Sequence, residues 1–210
     1  MVERISNYLV DNIICKGETI TDDEKDVLNF GVTRIVEDVP KDIIMLTIAL
    51  LTNTIKELGL VFLIMVVYKT FIGGAHARTN LICLISSNIT FFTPIIISKL
   101  IDINNVVLTV MYITIAIISL LVIYFIAPAD TEEVPIINAK KRKMLKIKGF
   151  ISLTIIYTIL ILFINNSDIK EIVLFTILLI DIYATKPIYR LFKCKYSYES
   201  EEFKEYFEKH

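Results

Sequence analysis

Hydrophobic and polar positions alternate in two different ways along this chain. Up to about residue 40 apolar residues recur at helical spacing among polar ones, and beyond it they gather into long runs with short polar breaks. In the first region Leu9, Val10, Ile13 and Ile14 fall near one face of a helix over Ser6–Ile14. Val27, Leu28, Val32, Ile35 and Val36 do the same over Asp23–Val39. Both segments are predicted as amphipathic helices, either packed on a membrane body or lying in its interface to capture a partner. Thr21, Asp22 and Asp23 supply N-cap and first-turn chemistry for the second.

The long runs cover Leu81–Ser98, Val106–Ile126, Phe150–Ile164 and Ile172–Tyr189, each near the ~17–25 residues that cross a ~30 Å hydrocarbon core. Pro94 and Pro187 read as kinks or stops. Ile43–Tyr68 is one long span or two short helices turning near Lys56, Glu57 and Gly59. A single span buries both charges at mid-membrane, at roughly 2.5–3.5 kcal/mol each before pairing, so the hairpin is preferred. The expected fold is an all-α, multi-pass transmembrane helical bundle of about six membrane segments with an amphipathic N-terminal helical portion. Residues 1–40 are expected to form cytoplasmic or interfacial helices, 41–189 the transmembrane bundle, and 190–210 a cytoplasmic tail.

Composition supports a membrane setting, since 55% hydrophobic residues exceed the ~45–50% of soluble domains. Lys+Arg 22 against Asp+Glu 23 leaves no net basic charge, and no nucleic-acid partner is expected. Placement of the charges sets orientation instead. Lys140, Lys141, Arg142, Lys143, Lys146 and Lys148 crowd the connection before Phe150, which is therefore expected on the cytoplasmic side. Counting spans puts the Lys69–Asn80 loop and the tail with Lys186, Arg190, Lys193 and Lys195 on that side too. The first 40 residues lack the basic start and apolar core of a removable signal peptide. Cys15, Cys83 and Cys194 show neither zinc-ligand spacing nor a disulfide framework, and no HExxH occurs; no metal and no cofactor are expected.

The chemistry lies in Gly73-Gly74-Ala75-His76-Ala77-Arg78, with Cys83 shortly after it. On one continuous helix His76 and Cys83 would stand roughly 10 Å apart along the axis, too far for a nucleophile–base hydrogen bond of about 3 Å. The chain must bend between them, and the two glycines allow it. The N-terminus of the following helix and the Arg78 cation favour a thiolate at Cys83. Spacing alone is weak evidence, because a histidine beside a cysteine near a membrane is more often structural. Ser86 stands one turn beyond Cys83 and can donate toward an oxyanion or serve helix packing. Asp130 can orient His76, or belong to a helix stop and turn in Ala127-Pro128-Ala129-Asp130-Thr131. Cys15 and Cys194 have no basic partner at such spacing and are read as structural, and His210 ends the chain.

The glycine–histidine–cysteine run, followed by Ala127-Pro128-Ala129-Asp130-Thr131-Glu132 and Pro135-Ile136, resembles the accessory gene regulator B (AgrB) family of bacterial membrane endopeptidases. The likeness covers most of the chain. It implies a cysteine endopeptidase in the bacterial cell membrane, with His76 and Cys83 as the catalytic pair and the active site on the cytoplasmic side. It further implies an AgrD-type propeptide as substrate, whose acidic C-terminal tail is removed through a Cys83 thioester before closure of a thiolactone or lactone autoinducing peptide. Lys140, Lys141, Arg142 and Lys143 are explained by topology and can also hold that acidic tail. The lipid bilayer is the second partner, and a homodimer is a candidate assembly. The competing class is a non-enzymatic polytopic transporter or sensor subunit, which mid-span acidic groups would favour; Asp181 and the ambiguous Lys56-Glu57 pair are the span residues of that kind.

Overall fold

The computed structural model describes residues 2–14, 21–77, 79–132 and 135–197. The chain divides into two compact units, Met1–Asn53 and Thr54–His210. In the first, α1 (Val2–Leu9) runs into a π-helical turn, Val10–Ile14, and packs against α2 (Asp22–Leu51). Thr21 caps α2 through a capping box: its side chain accepts from the Glu24 N–H, and Glu24 accepts from the Thr21 N–H at 3.0 Å. Thr33 donates to Ser6 at 2.8 Å and Lys25 pairs with Asp11 at 2.8 Å, so polar contacts join the two helices. Val27, Phe30 and Ile35 are exposed, as an interfacial amphipathic helix requires. The second helix does not stop near residue 39. It continues through Pro40 into the apolar segment and ends at Leu51.

The second unit is a helical bundle. It begins with α3 (Ile55–Ile64), continued by a π-helical turn, Met65–Lys69, and by α4 (Thr70–Ile72). Then come α5 (Asn80–Leu100), α6 (Asn105–Phe125), α7 (Ala139–Leu162), α8 (Ser167–Tyr183) and the short α9 (Lys186–Leu191). Among the described residues no strand forms; the isolated bridges are Gly73 with Ala129 and Thr131 with Tyr196. Three of the described helices, α5, α6 and α7, are long and apolar enough to cross a membrane. Their outward residues, among them Ile89, Ile113, Ile117, Ile155 and Ile159, are exposed apolar side chains that suit contact with lipid. This is an all-α membrane protein. The central helix is α8, which packs on α3, α5 and α6 and buries Ile172, Val173, Leu174, Ile177 and Ile180.

Several boundaries differ from the sequence expectation for local reasons. The break in 43–68 falls at Thr52–Thr54 rather than at Lys56–Gly59. Lys56 and Glu57 therefore sit in the first turn of α3, and Glu57 pairs at 3.7 Å with Lys99 in the last turn of α5. That end of the bundle is opposite the one reached by α4, so neither charge lies mid-helix. The basic run is itself helical, because Asn138 caps α7 by accepting from the Lys140 and Lys141 N–H groups. The last apolar run is divided: α8 ends at Tyr183, and Thr185 with Pro187 begins α9.

Candidate active site

Successive antiparallel helices bring three connections to one end of the second unit: residues 73–79 after α4, 126–138 after α6, and the segment after α8. Backbone hydrogen bonds fuse them. The Ala129 N–H donates to Ile72 O at 2.7 Å, Gly74 N–H to Ala129 O at 2.8 Å, and Ala75 N–H to Tyr183 O at 2.9 Å. His76 is thus the residue after a fixed point. Gly73 and Gly74 have φ of 80° and 140°, in the region that side chains disfavour. Gly73 is the more constrained, since a Cβ there would stand 2.3 Å from Ala129 O. The glycines therefore do more than loosen the loop; they let it lie against two neighbouring backbones.

Ala77 and Thr79, the described residues between His76 and α5, are non-helical. Thr79, in an extended conformation, caps α5 by accepting from Ile82 N–H at 3.3 Å. Cys83 lies in the first turn, its N–H bonded to Thr79 O at 2.9 Å, and its side chain is half-buried. Cys83 therefore stands at the positive end of the α5 dipole. Ser86 donates to Cys83 O at 3.0 Å, which ties its hydroxyl to the backbone of the same turn.

A cavity of about 600 Å³ opens beside this loop. His76, Asp130 and Lys141 line it together with Lys69 and the apolar Phe62, Met65, Val66 and Phe91. Lys69 interacts electrostatically with Cys83 and places its Nζ 5.7 Å from the ring centre of Tyr183. Of the expected site residues, His76, Asp130 and Lys141 therefore share one cavity, and Cys83 is not among its lining residues. Lys140 and Lys143 are exposed and are not among the lining residues. Arg78, Cys15 and His210 lie outside the described residues. Among the described residues no group of three or more His, Cys, Asp or Glu side chains is arranged to hold a metal.

Asp130 and Arg142 form a clamp. Asp130 Oδ2 accepts from Arg142 Nη1 at 2.8 Å, from Ile136 N–H at 2.7 Å and from the Ser197 hydroxyl, while the side chain is almost wholly buried. Arg142 also donates to Ile136 O and Pro128 O. Both therefore stabilise the 127–136 loop, whatever else they contact. From the other side Tyr189 donates to Ala129 O at 2.8 Å, Tyr196 donates to Ala184 O at 2.7 Å, and the two rings stack at 3.8 Å. Residues up to Ser197 thus brace the site. Sequence reasoning passed over Lys69, Tyr183, Tyr189 and Tyr196. Lys69, a lone cation ending an apolar run just before Gly73-Gly74, carried the readable signal; the tyrosines act across long sequence separations and carried none.

An all-α membrane protein whose three joined loops hold a histidine, two residues after a glycine pair, over a cavity, with a cysteine in the first turn of the next helix, defines a narrow class. The family model for accessory gene regulator B matches residues 2–184, and the chain belongs to that family. It is 33% identical over 202 residues to an AgrB-like protein of Listeria innocua, covering 94% of this chain and 96% of the relative. It is 29% identical to an AgrB-like protein of Clostridium beijerinckii, covering 83% and 82%. It is 30% identical to the accessory gene regulator protein B of Staphylococcus saprophyticus, covering 74% and 78%. No solved structure matches. Membership places the protein in the accessory gene regulator quorum-sensing system.

Proposed function

We propose that the protein is a membrane-embedded cysteine endopeptidase that removes the C-terminal tail of an AgrD-type propeptide and promotes cyclisation of the remainder. The observation that carries this reading is the His76 loop, fixed by backbone hydrogen bonds on the cavity, with Cys83 in the first turn of the helix that follows. The Cys83 thiolate attacks the carbonyl carbon before the tail, and negative charge moves to the carbonyl oxygen. As the C–N bond breaks, His76 gives its proton to the departing amine nitrogen, leaving the peptide as a thioester on Cys83. A thiol or hydroxyl within the peptide then loses its proton to His76 and attacks the thioester. The ring closes as Cys83 leaves as thiolate, with no oxidant or reductant required. Keeping water from the thioester preserves the bond for the internal nucleophile.

Lys141 contacts the leaving acidic tail from the cavity wall, while Lys140 and Lys143 act mainly through orientation. The basic start of α7 supports a cytoplasmic position for the three joined loops, where a newly made propeptide arrives. The test uses proteoliposomes and the cognate propeptide, followed by mass spectrometry. Wild-type protein should release the tail and carry the peptide on Cys83, whereas Cys83→Ala and His76→Ala should do neither. Tail release by Cys83→Ala at the wild-type rate overturns the proposal.

A further inference from the structure

Asp181 is a carboxylate buried within the bundle, with 1% of its surface exposed, and the chemistry above does not use it. Its Oδ1 accepts from the Tyr68 hydroxyl at 2.9 Å, and its Oδ2 accepts from the Ser119 hydroxyl. Tyr157 of α7 lies within electrostatic reach of it. Three helical segments are thus tied at one group: the Met65–Lys69 turn, α6 and α8. Each of them runs on into a segment that builds the site. Tyr68 precedes Gly73 by little more than a turn, α6 leads to Ala127–Ala129, and Asp181 comes just before Tyr183. The same three segments meet again outside the bundle, through the backbone hydrogen bonds among Ile72, Gly74, Ala75, Ala129 and Tyr183.

A carboxylate buried inside an apolar bundle is costly, and an aliphatic side chain would fill this space without that cost. A transport role calls for a group that exchanges partners in a path, whereas both oxygens here are held by hydroxyls from neighbouring helices. We propose that Asp181 is a positioning residue for His76. It fixes the register of α8 against Tyr68 and Ser119, so that Tyr183 O meets Ala75 N–H and presents the next residue, His76, over the cavity. The hydroxyl donors supply direction, which apolar packing between helices lacks. This inference rests on His76 and Cys83 being the reacting pair.

The experiment uses the full chain in proteoliposomes with Asp181→Leu, Asp181→Asn, Tyr68→Phe and Ser119→Ala. Propeptide cleavage gives kcat and KM, and iodoacetamide labelling of Cys83 across pH gives the influence of His76 on the thiol. Asp181→Leu should lower kcat about 100-fold, the scale of a 1 Å misplacement, with KM little changed. Its labelling profile should match that of His76→Ala, and adding Asp181→Leu to His76→Ala should slow labelling no further. Asp181→Asn should recover most of the rate, because Asn still accepts from Tyr68 and can donate to Ser119. A wild-type kcat, a change confined to KM, or further slowing in the double variant overturns the proposal. If Asp181→Leu does not accumulate, Tyr68→Phe and Ser119→Ala decide it: lowered kcat at constant KM supports it, and wild-type kcat in both overturns it. Failure of the peptidase reading itself shows separately, as cleavage by Cys83→Ala.

Discussion

Replacing Gly73 by alanine puts the smallest side chain where the structure leaves no room. Gly73 has φ 80° and ψ −151°, a conformation nearly confined to glycine, and a β-carbon residue held there costs about 1–3 kcal/mol. The added Cβ would also meet Ala129 O at 2.3 Å, Ala129 C at 2.8 Å and Ala129 N at 3.0 Å. Those atoms are backbone and cannot rotate away, so the 127–136 loop must separate from the glycine turn. Separation breaks the Ala129-to-Ile72 and Gly74-to-Ala129 hydrogen bonds, each worth about 0.5–1.5 kcal/mol net. The sum is about 2–6 kcal/mol, with the strain concentrated beside His76. Propeptide cleavage in proteoliposomes, normalised to inserted protein, should fall at least about 100-fold, and the thermal midpoint in detergent should drop. Gly59→Ala is the control: nothing lies within 4 Å of its added Cβ, and helix propensity favours alanine by up to about 1 kcal/mol. Wild-type cleavage by Gly73→Ala would show that the contact with Ala129 does not position the histidine.

Arg142→Ala leaves the buried Asp130 carboxylate without its cation, for a loss of about 3 kcal/mol readable as a lowered thermal midpoint, and Arg142→Lys should rescue little because it cannot span Asp130, Ile136 O and Pro128 O together. Tyr189→Phe should cost about 1 kcal/mol and a few degrees of midpoint through the lost bond to Ala129 O, and an unchanged midpoint would sink the proposed brace. Charge reversal at Lys141 should weaken cleavage of an acidic-tailed propeptide more than reversal at Lys140 or Lys143, with topology checked by reporter fusions; equal effects would leave the basic run to orientation alone.

The spanning helices α5 and α6 were legible almost to the residue, because each is a single apolar run with a side-chain cap, Thr79 and Asn104, at its start. The start of α7 was not. Its first turns are lysines and arginine, which read as a loop by hydropathy but have good helix propensity and a capping asparagine. The end of α8 was hidden for the opposite reason: hydrophobicity continues past Tyr183, while the break depends on Thr185 and on proline early in α9. At the site, the glycines, His76 and Cys83 were visible as a local motif. The carbonyl that makes Gly73 obligatory belongs to Ala129, and no local pattern announces such a pairing. Asp130 is similar, since its turn was readable but its bonds to Arg142 and Ser197 come from remote segments.

The two buried aspartates explain how a small bundle can hold such a site in lipid. Between spanning helices the hydrophobic effect gives little preference for one register over another, because lipid tails are as apolar as leucine. Directional bonds must then set the register. Asp181 does so inside the bundle, joining the helices that carry Tyr68 and Ser119. Asp130 does so at the loops, where Arg142, the Ile136 amide and Ser197 converge on one oxygen. Between these two anchors runs the sequence of backbone bonds from Ile72 through Ala129 and Gly74 to Ala75 and Tyr183. His76 extends from the end of that sequence, so its position depends on both carboxylates although it borders only one of them in the cavity. Loss of either anchor should therefore act on the histidine before it acts on the fold, because the long apolar helices remain inserted without it.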